Sequence, residues 1–531
     1  MPSEQIRNRR LLAAALVAGA LVLVLVLAVR SCGGDDTSPP ASGAARAVPA
    51  DALLYVHLST DPDRGAVKRA LGLAGRFPGY PRLRDDALRR VSSVASGVSY
   101  QRDIRPWLGK EAALALLNTP GQTAGSLVIL AVSDRDKAEG FLQRVAGAPS
   151  RQSYRGTDIS TYGTTAAAFA GGYLVIGQLP GLRLAIDAAA GRGPSLAKSK
   201  VFQKASGNLP DGRVADLYAS PDGVSRLLAS QGGAIGAAGA LIDQPALQGA
   251  AISLTPKKDG AQVIVHSVLD PKVAKQVPRS KEFEPDLVGS VPKDAMAYLG
   301  LTRLDQAGRR LLAAGLAGGG AGRQLTTLLE RAQRDLSRRA GVDLDKDVLP
   351  LLQGEVALWL APSVPAPILT LIASTDDEQR TREAFARLQQ PIARLLAAPG
   401  GGAVSWQERD VDGVKAFQLR LGVGIELDYA VFDGKLVVST SLSGVRAVKE
   451  RKGSLADNES FDATLGGHPK KVTSLVFLDF SQLLALGERT GLSDSRSYLA
   501  VREDLRKVKA VGAAATGGAS ESTTELFIEI P

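Results

Sequence analysis

Two stretches of the chain share one pattern of apolar and polar positions. VPADALLYVHLST begins at Val48 and VPKDAMAYLGLTR at Val291, 243 residues later. Each reads Val-Pro-x-Asp-Ala, then a short apolar run with a tyrosine at the same place, Tyr55 and Tyr298. Proline fixes φ and lacks a donor, so it suits the entry to a strand. The side chains of Asp51 and Asp294 can bond nearby amides and hold a turn. The pattern predicts, in each copy, a turn that feeds a buried strand. The tyrosines are expected in the core with their hydroxyls satisfied.

The pattern repeats further along in the same order. DIRPWLGKEAALAL from Asp103 matches DVLPLLQGEVALWL from Asp347, with Pro106/Pro350, Leu108/Leu352, Glu111/Glu355, Ala113/Ala357 and Leu114/Leu358 in register. The strand-sized SLVILAVS precedes a helical pattern with Ala138, Phe141, Leu142 and Val145 on one face. ILTLIAS precedes another with Phe385, Leu388, Ile392 and Leu395 on one face. AFAGGYLVIGQ from Ala168 matches AVFDGKLVVST from Ala430, each with a glycine turn between strands. SLAKSKVFQKA from Ser195 matches SLADNESFDAT from Ser454, pairing Phe202 with Phe461. Matches in one order at nearly one period predict a duplicated module. A helix is also expected at Val67–Ala74 and another over Leu83–Val94.

The fold class this predicts is α+β: two tandem copies of a largely antiparallel sheet with helices on one face, after an N-terminal transmembrane helix. The element order in each copy is also compatible with a split βαβ arrangement. The expected division is a basic tail at 1–10, an anchor at 11–29, a flexible tether at 30–47, a first module at 48–290 and a second at 291–531. The proline-rich, charged stretch 270–290 is expected to be the linker. The Ala/Gly-rich segments Gly232–Ala240 and Ala313–Gly322 are expected to be surface loops.

The anchor is read from Leu11–Val29, 19 residues without a charge. At about 1.5 Å per residue such a helix spans roughly the hydrocarbon core of a bilayer. Arg7, Arg9 and Arg10 precede it, and Asp35 and Asp36 follow Arg30. The positive-inside rule then places the N-terminus in the cytoplasm and the body outside. Cys32 is the only cysteine, so no internal disulfide framework exists. Val29-Arg30-Ser31-Cys32 resembles a lipobox, but the arginine departs from it. The 15 residues from Gly33 to Ala47 are small and proline-containing, as a tether would be.

Hydrophobic content of 45% and charged content of 22% suit a globular body. The net charge of +10 is spread thinly, without a basic run interleaved with aromatics, which excludes a nucleic-acid partner. The three histidines, His57, His266 and His468, lie far apart in sequence, and His57 corresponds to Gly300 in the other copy. No HExxH, GxSxG or GxxxxGK[ST] string occurs. Ser195–Lys198 gives SxxK without its companion motifs. Asp343, Asp345 and Asp347 open like a calcium loop, but Val348 and Gly354 occupy the positions that need glycine and glutamate. Gly422 and Gly424 lie inside a strand-like run, not before a helix, so a dinucleotide fingerprint fails. The expectation is no catalytic residues, no cofactor and no metal.

VPADALLYV, preceded by an apolar anchor and a Pro/Ser/Gly tether, resembles a bacterial domain-of-unknown-function family. The family is found mostly in high-GC bacteria, and its members open their outer domain on a VPxDAxxY-like motif. The resemblance implies a membrane-anchored, extracytoplasmic protein and brings no site residues with it. The expected function is a non-enzymatic envelope module that binds an envelope protein or glycan. The alternative is a module that binds or carries an apolar ligand such as a lipid.

Overall fold

Each Val-Pro-x-Asp-Ala turn feeds a strand. A computed structural model describes residues 38–86, 100–118, 125–224, 246–274, 281–303, 341–396, 404–422, 424–518 and 520–531. The anchor, Cys32, the two Ala/Gly-rich segments and most of Leu83–Val94 lie outside the described residues. Among the described residues no helix is long and apolar enough to cross a membrane.

The chain divides into two units, one holding the first ten strands and the other the last ten. The first unit contains β1 Ala52–Ser59, β2 Leu108–Leu117, β3 Gly125–Val132, β4 Ser150–Tyr154 and β5 Thr157–Tyr162. It continues with β6 Thr165–Ala170, β7 Tyr173–Gly177, β8 Ala215–Ala219, β9 Leu247–Lys257 and β10 Gly260–Leu269. Its strand order is β4-β5-β6-β7-β3-β2-β1-β8-β9-β10. The second unit contains β11 Ala297–Thr302, β12 Glu355–Ala361, β13 Ile368–Ser374, β14 Trp406–Val411 and β15 Val414–Gly422. It ends with β16 Ile425–Phe432, β17 Lys435–Ser439, β18 Ser474–Asp479, β19 Ala510–Gly517 and β20 Glu521–Glu529. Its order is β14-β15-β16-β17-β13-β12-β11-β18-β19-β20. Each of these pairings is antiparallel, so the split βαβ alternative does not hold. Strand for strand, the second pairing diagram repeats the first.

Local chemistry explains the hairpins. The β6–β7 turn has φ +59° and +87° at Gly171 and Gly172, and the β16–β17 turn has +48° and +68° at Asp433 and Gly434. Two successive positive φ values match the twist of a two-residue hairpin, and they favour glycine and Asx residues. Tyr55 lies opposite Tyr218 on β8, and Tyr298 lies opposite Phe477 on β18. The helix Lys200–Ser206 brings Phe202 within 5.3 Å of Tyr218, ring to ring; the helix Glu459–Leu465 brings Phe461 within 5.4 Å of Phe477. Both helices start on a side-chain cap, Ser199 accepting from Phe202 N and Asn458 from Phe461 N.

Helices cover both faces of each sheet, not one face as the sequence suggested. In the first unit Leu127, Ile129 and Val175 point to the face covered by helix Leu179–Ala189. Val128, Leu130, Leu174 and Ile176 point to the opposite face, under helix Arg135–Ala146 with Phe141 and Leu142. In the second unit Ile372 and Val437 meet Val445 and Val448 of helix Leu442–Glu450. Ala373, Val431 and Leu436 meet Phe385 and Leu388 of helix Glu378–Leu396 on the other side. Side chains alternate along a strand, so a strand apolar at every position is buried on both faces.

Part of the expected tether and linker is folded. Gly43–Ala47 is a 3-10 helix with Ala44, Ala45 and Ala47 buried in the first core. Asp286–Ser290 is a 3-10 helix with Leu287 and Val288 buried in the second core. Each precedes its Val-Pro-x-Asp-Ala turn and completes its unit.

Candidate functional site: buried polar networks

The 3-10 helix before each turn starts on unpaired amide donors, and a glutamate supplied by the long strand after the first one satisfies them. Glu111, on β2 opposite Ser59, accepts from Gly43 N at 2.9 Å and Ala44 N at 3.2 Å. Glu355, on β12 opposite Thr302, accepts from Leu287 N at 3.1 and 3.2 Å. The two carboxylates do the same work in very different surroundings.

In the first unit four more groups join Glu111 in one network. His57 lies on β1 directly opposite Asp216 on β8. Its Nδ1 is 3.1 Å from Asp216 Oδ1 and its Nε2 is 3.4 Å from Glu111 Oε2. Tyr173 Oη donates to Glu111 Oε1 at 2.6 Å, and Arg213 Nε donates to Asp216 Oδ1 at 2.7 Å. Tyr173 reaches Glu111 only because Gly43 has no side chain: a Cβ there would stand 2.2 Å from the Tyr173 hydroxyl. His57 is 1% exposed. Burial alone would lower its pKa, but hydrogen bonds and charge from Asp216 and Glu111 outweigh it and raise it to about 9. Burial pushes Glu111 and Asp216 up, and their bonds to His57 more than reverse this, so both sit below the usual carboxylate range. Two carboxylates, an imidazolium and a guanidinium thus balance inside the fold.

The second unit keeps the glutamate and drops its cation. Gly300 stands where His57 stands, and Leu475 where Asp216 stands. The space is taken by Tyr298, whose hydroxyl would lie 2.3 Å from any Cβ at position 300. Burial, with Asp286 nearby, raises Glu355 to about 7. The hydroxyls of Tyr55 and Tyr298 are buried without a hydrogen-bond partner, contrary to expectation. Each leaves a desolvation penalty uncompensated.

A different polar network crosses the second sheet. Gln418, Asp428, Ser439 and Thr370 lie side by side on β15, β16, β17 and β13, all buried. Ser439 Oγ and Thr370 Oγ1 are 2.8 Å apart. Gln418 takes a bond from Arg409 Nε at 3.2 Å and gives one to Glu426 Oε2 at 2.9 Å. Neither Asp428 oxygen meets a donor. Burial first, and then the charge of Glu426, raise Asp428 to about 8, so it keeps its proton at neutral pH. The same row in the first unit is Thr161, Ala166, Gly177 and Leu127.

Of the residues singled out in the sequence, His57 lies in the first network and the others fall elsewhere. His266 is buried on β10, and His468 Nδ1 lies 2.7 Å from the carbonyl of Pro469. Ser195 is buried in a bridge to Pro49 and starts a 3-10 turn. Asp347 Oδ2 accepts from Asp343 N at 2.8 Å and Lys346 pairs with Asp343, so these side chains brace the turn. Among the described residues no group of three His, Cys, Asp or Glu side chains is arranged to hold a metal ion. Sequence reading missed Glu111, Asp216, Glu355 and Asp428 as network members. The one available signal was the recurrence of Glu111 as Glu355 within a matched apolar stretch.

A family model described as protein of unknown function (DUF3352) matches residues 11–530. No curated protein matches the chain. Among solved structures, crystal form I of TP0453 aligns over 43% of this chain and 79% of that one, at 9% identity and a TM-score of 0.26. Crystal form III aligns over 46% and 89% at 10% identity and a TM-score of 0.25. So distant a likeness says nothing about role.

Proposed function

The chain belongs to this family of unknown function, and from its own residues we propose a non-enzymatic interaction module of the cell envelope, held to the membrane by Leu11–Val29. One observation carries the reading. The groups at the centre of the titratable networks are buried: His57 is 1% exposed and Asp428 0%. A group that must exchange protons with a substrate needs to reach it, within hydrogen-bond distance or through one water. Here the networks hold strands and 3-10 helices in place. Large side chains are packed on both faces of each sheet, which supports interaction through the outer surface over enclosure of an apolar ligand. The repeated strand order supports two copies of one module, which presents related surfaces twice from one anchor.

The topology is tested in intact cells. The protein is expected to fractionate with membranes, and external protease is expected to remove nearly all of its mass. Protection of the body would overturn the placement. Attachment is expected to survive Cys32→Ala, because the apolar run is long enough without a lipid. Release of that variant into the medium would make the lipid the anchor.

A further inference from the structure

Two loops of the second unit meet in an exposed apolar tip. One is the β12–β13 connection, Pro362-Ser363-Val364-Pro365-Ala366-Pro367; the other is the β15–β16 turn that ends in Gly424 and Ile425. A Cβ built on Gly424 would lie 3.6 Å from Cγ of Pro365, so the loops touch. Val364 is 91% exposed, Ile425 61% and Leu369 42%. No charged residue occurs from Val356 to Thr375, nor from Leu421 to Ile425.

The fold does not require this composition. The first unit has the same strand order, and its β2–β3 connection reads Asn-Thr-Pro-Gly-Gln-Thr-Ala. Its β5–β6 turn is Gly163-Thr164. Neither sequence carries a large aliphatic side chain, so the shared strand order does not itself demand apolar loops.

We infer that this tip inserts into the interfacial layer of a lipid bilayer. Three features select lipid over a protein partner. The tip is a pair of adjoining loops whose largest aliphatic side chains, Val364 and Ile425, stand exposed. Pro362, Pro365 and Pro367 lack backbone N–H groups, which removes donors that would go unsatisfied in an apolar layer. Arg420 is exposed one residue behind the apolar stretch, where headgroup phosphates would lie. The nearby acid does not repel them from the tip, because Glu426 is turned to Gln418 Nε2 at 2.9 Å and Leu442 N at 3.3 Å. The inference goes beyond anchoring, since it assigns a second lipid contact to the folded body.

The test uses the full chain carrying Cys32→Ala and Val364→Cys, labelled with an environment-sensitive fluorophore. It is reconstituted into phosphatidylcholine–phosphatidylglycerol vesicles containing spin-labelled lipid. Quenching by the spin label is expected to be several-fold stronger at position 364 than for the same probe at Arg151→Cys, an exposed site of the first unit. Adding Ile425→Asp, at an exposed position where folding is not at stake, is expected to bring quenching at 364 down to that control. A probe at 364 that stays open to aqueous iodide and unquenched by lipid would overturn the inference. So would a probe shielded from iodide without lipid quenching, which would assign the tip to a second copy of the chain. Vesicle flotation reports the anchor separately, so failure of the tip and failure of the anchor read differently.

Discussion

One glutamate in two settings shows how far context decides a residue's state. Glu111 and Glu355 cap equivalent 3-10 helices from equivalent strand positions. Beside His57 the carboxyl is held low; beside Tyr298 burial lifts it to about 7. Glu111→Gln leaves His57 with one fewer counter-charge in a buried site, and breaking such a pair costs about 3 kcal/mol. Glu355→Gln resembles a form that is already half populated near neutrality, and it is expected to cost under about 1 kcal/mol. Urea unfolding of both variants at pH 7 measures the difference. Equal losses would mean that His57 contributes nothing to the state of Glu111.

At the scale of elements, the unexpected feature is the second helical layer. Phe385 on helix Glu378–Leu396 packs at a tilt on Tyr429, ring centroids 4.2 Å apart, while Phe461 on helix Glu459–Leu465 packs on Phe477 in the other core of the same unit. Each Phe→Ala change is expected to cost about 3–4 kcal/mol. Because the two rings belong to separate cores, the double variant is expected to be additive within about 0.5 kcal/mol. Strong coupling in a double-mutant cycle would contradict the two-layer packing. This layering was only half legible in the sequence. The stripe of Phe385, Leu388, Ile392 and Leu395 showed a helix with one buried face, but a stripe does not say which side of a sheet it meets. Strands such as SLVILAVS, apolar at nearly every position, carried the missing information. The turns and the Tyr55/Tyr298 strands were readable because their determinants are local. The His57–Asp216 pair was not, because it is made across 159 residues of chain by strand pairing.

For the whole molecule the networks set a preference for mildly acidic conditions. A carboxyl whose folded pKa is raised contributes stability that is fully present below its unfolded value and lost as pH rises to the folded value. For Glu355 that window runs from 4.5 to about 7, and for Asp428 from 3.8 to about 8. His57, raised from 6.5 to about 9, contributes stability present below 6.5 and lost by about 9. Glu111 and Asp216, held low, oppose this only on the acid side, where their contribution is lost as pH falls below the ordinary carboxylate range. All three raised groups therefore weaken the fold in the same direction above pH 5. The chain is expected to be less stable at pH 8 than at pH 5 by on the order of 2 kcal/mol or more, read from urea midpoints. The double variant Glu355→Gln/Asp428→Asn removes the two carboxyls that burial raises among the described residues of the second unit. It is expected to flatten the profile from pH 5 to 6.5 and leave the decline above 6.5, which belongs to His57. A wild-type chain equally stable at pH 5 and pH 8, or a double variant with an unchanged slope, would show that these buried acids keep their ordinary protonation in the fold.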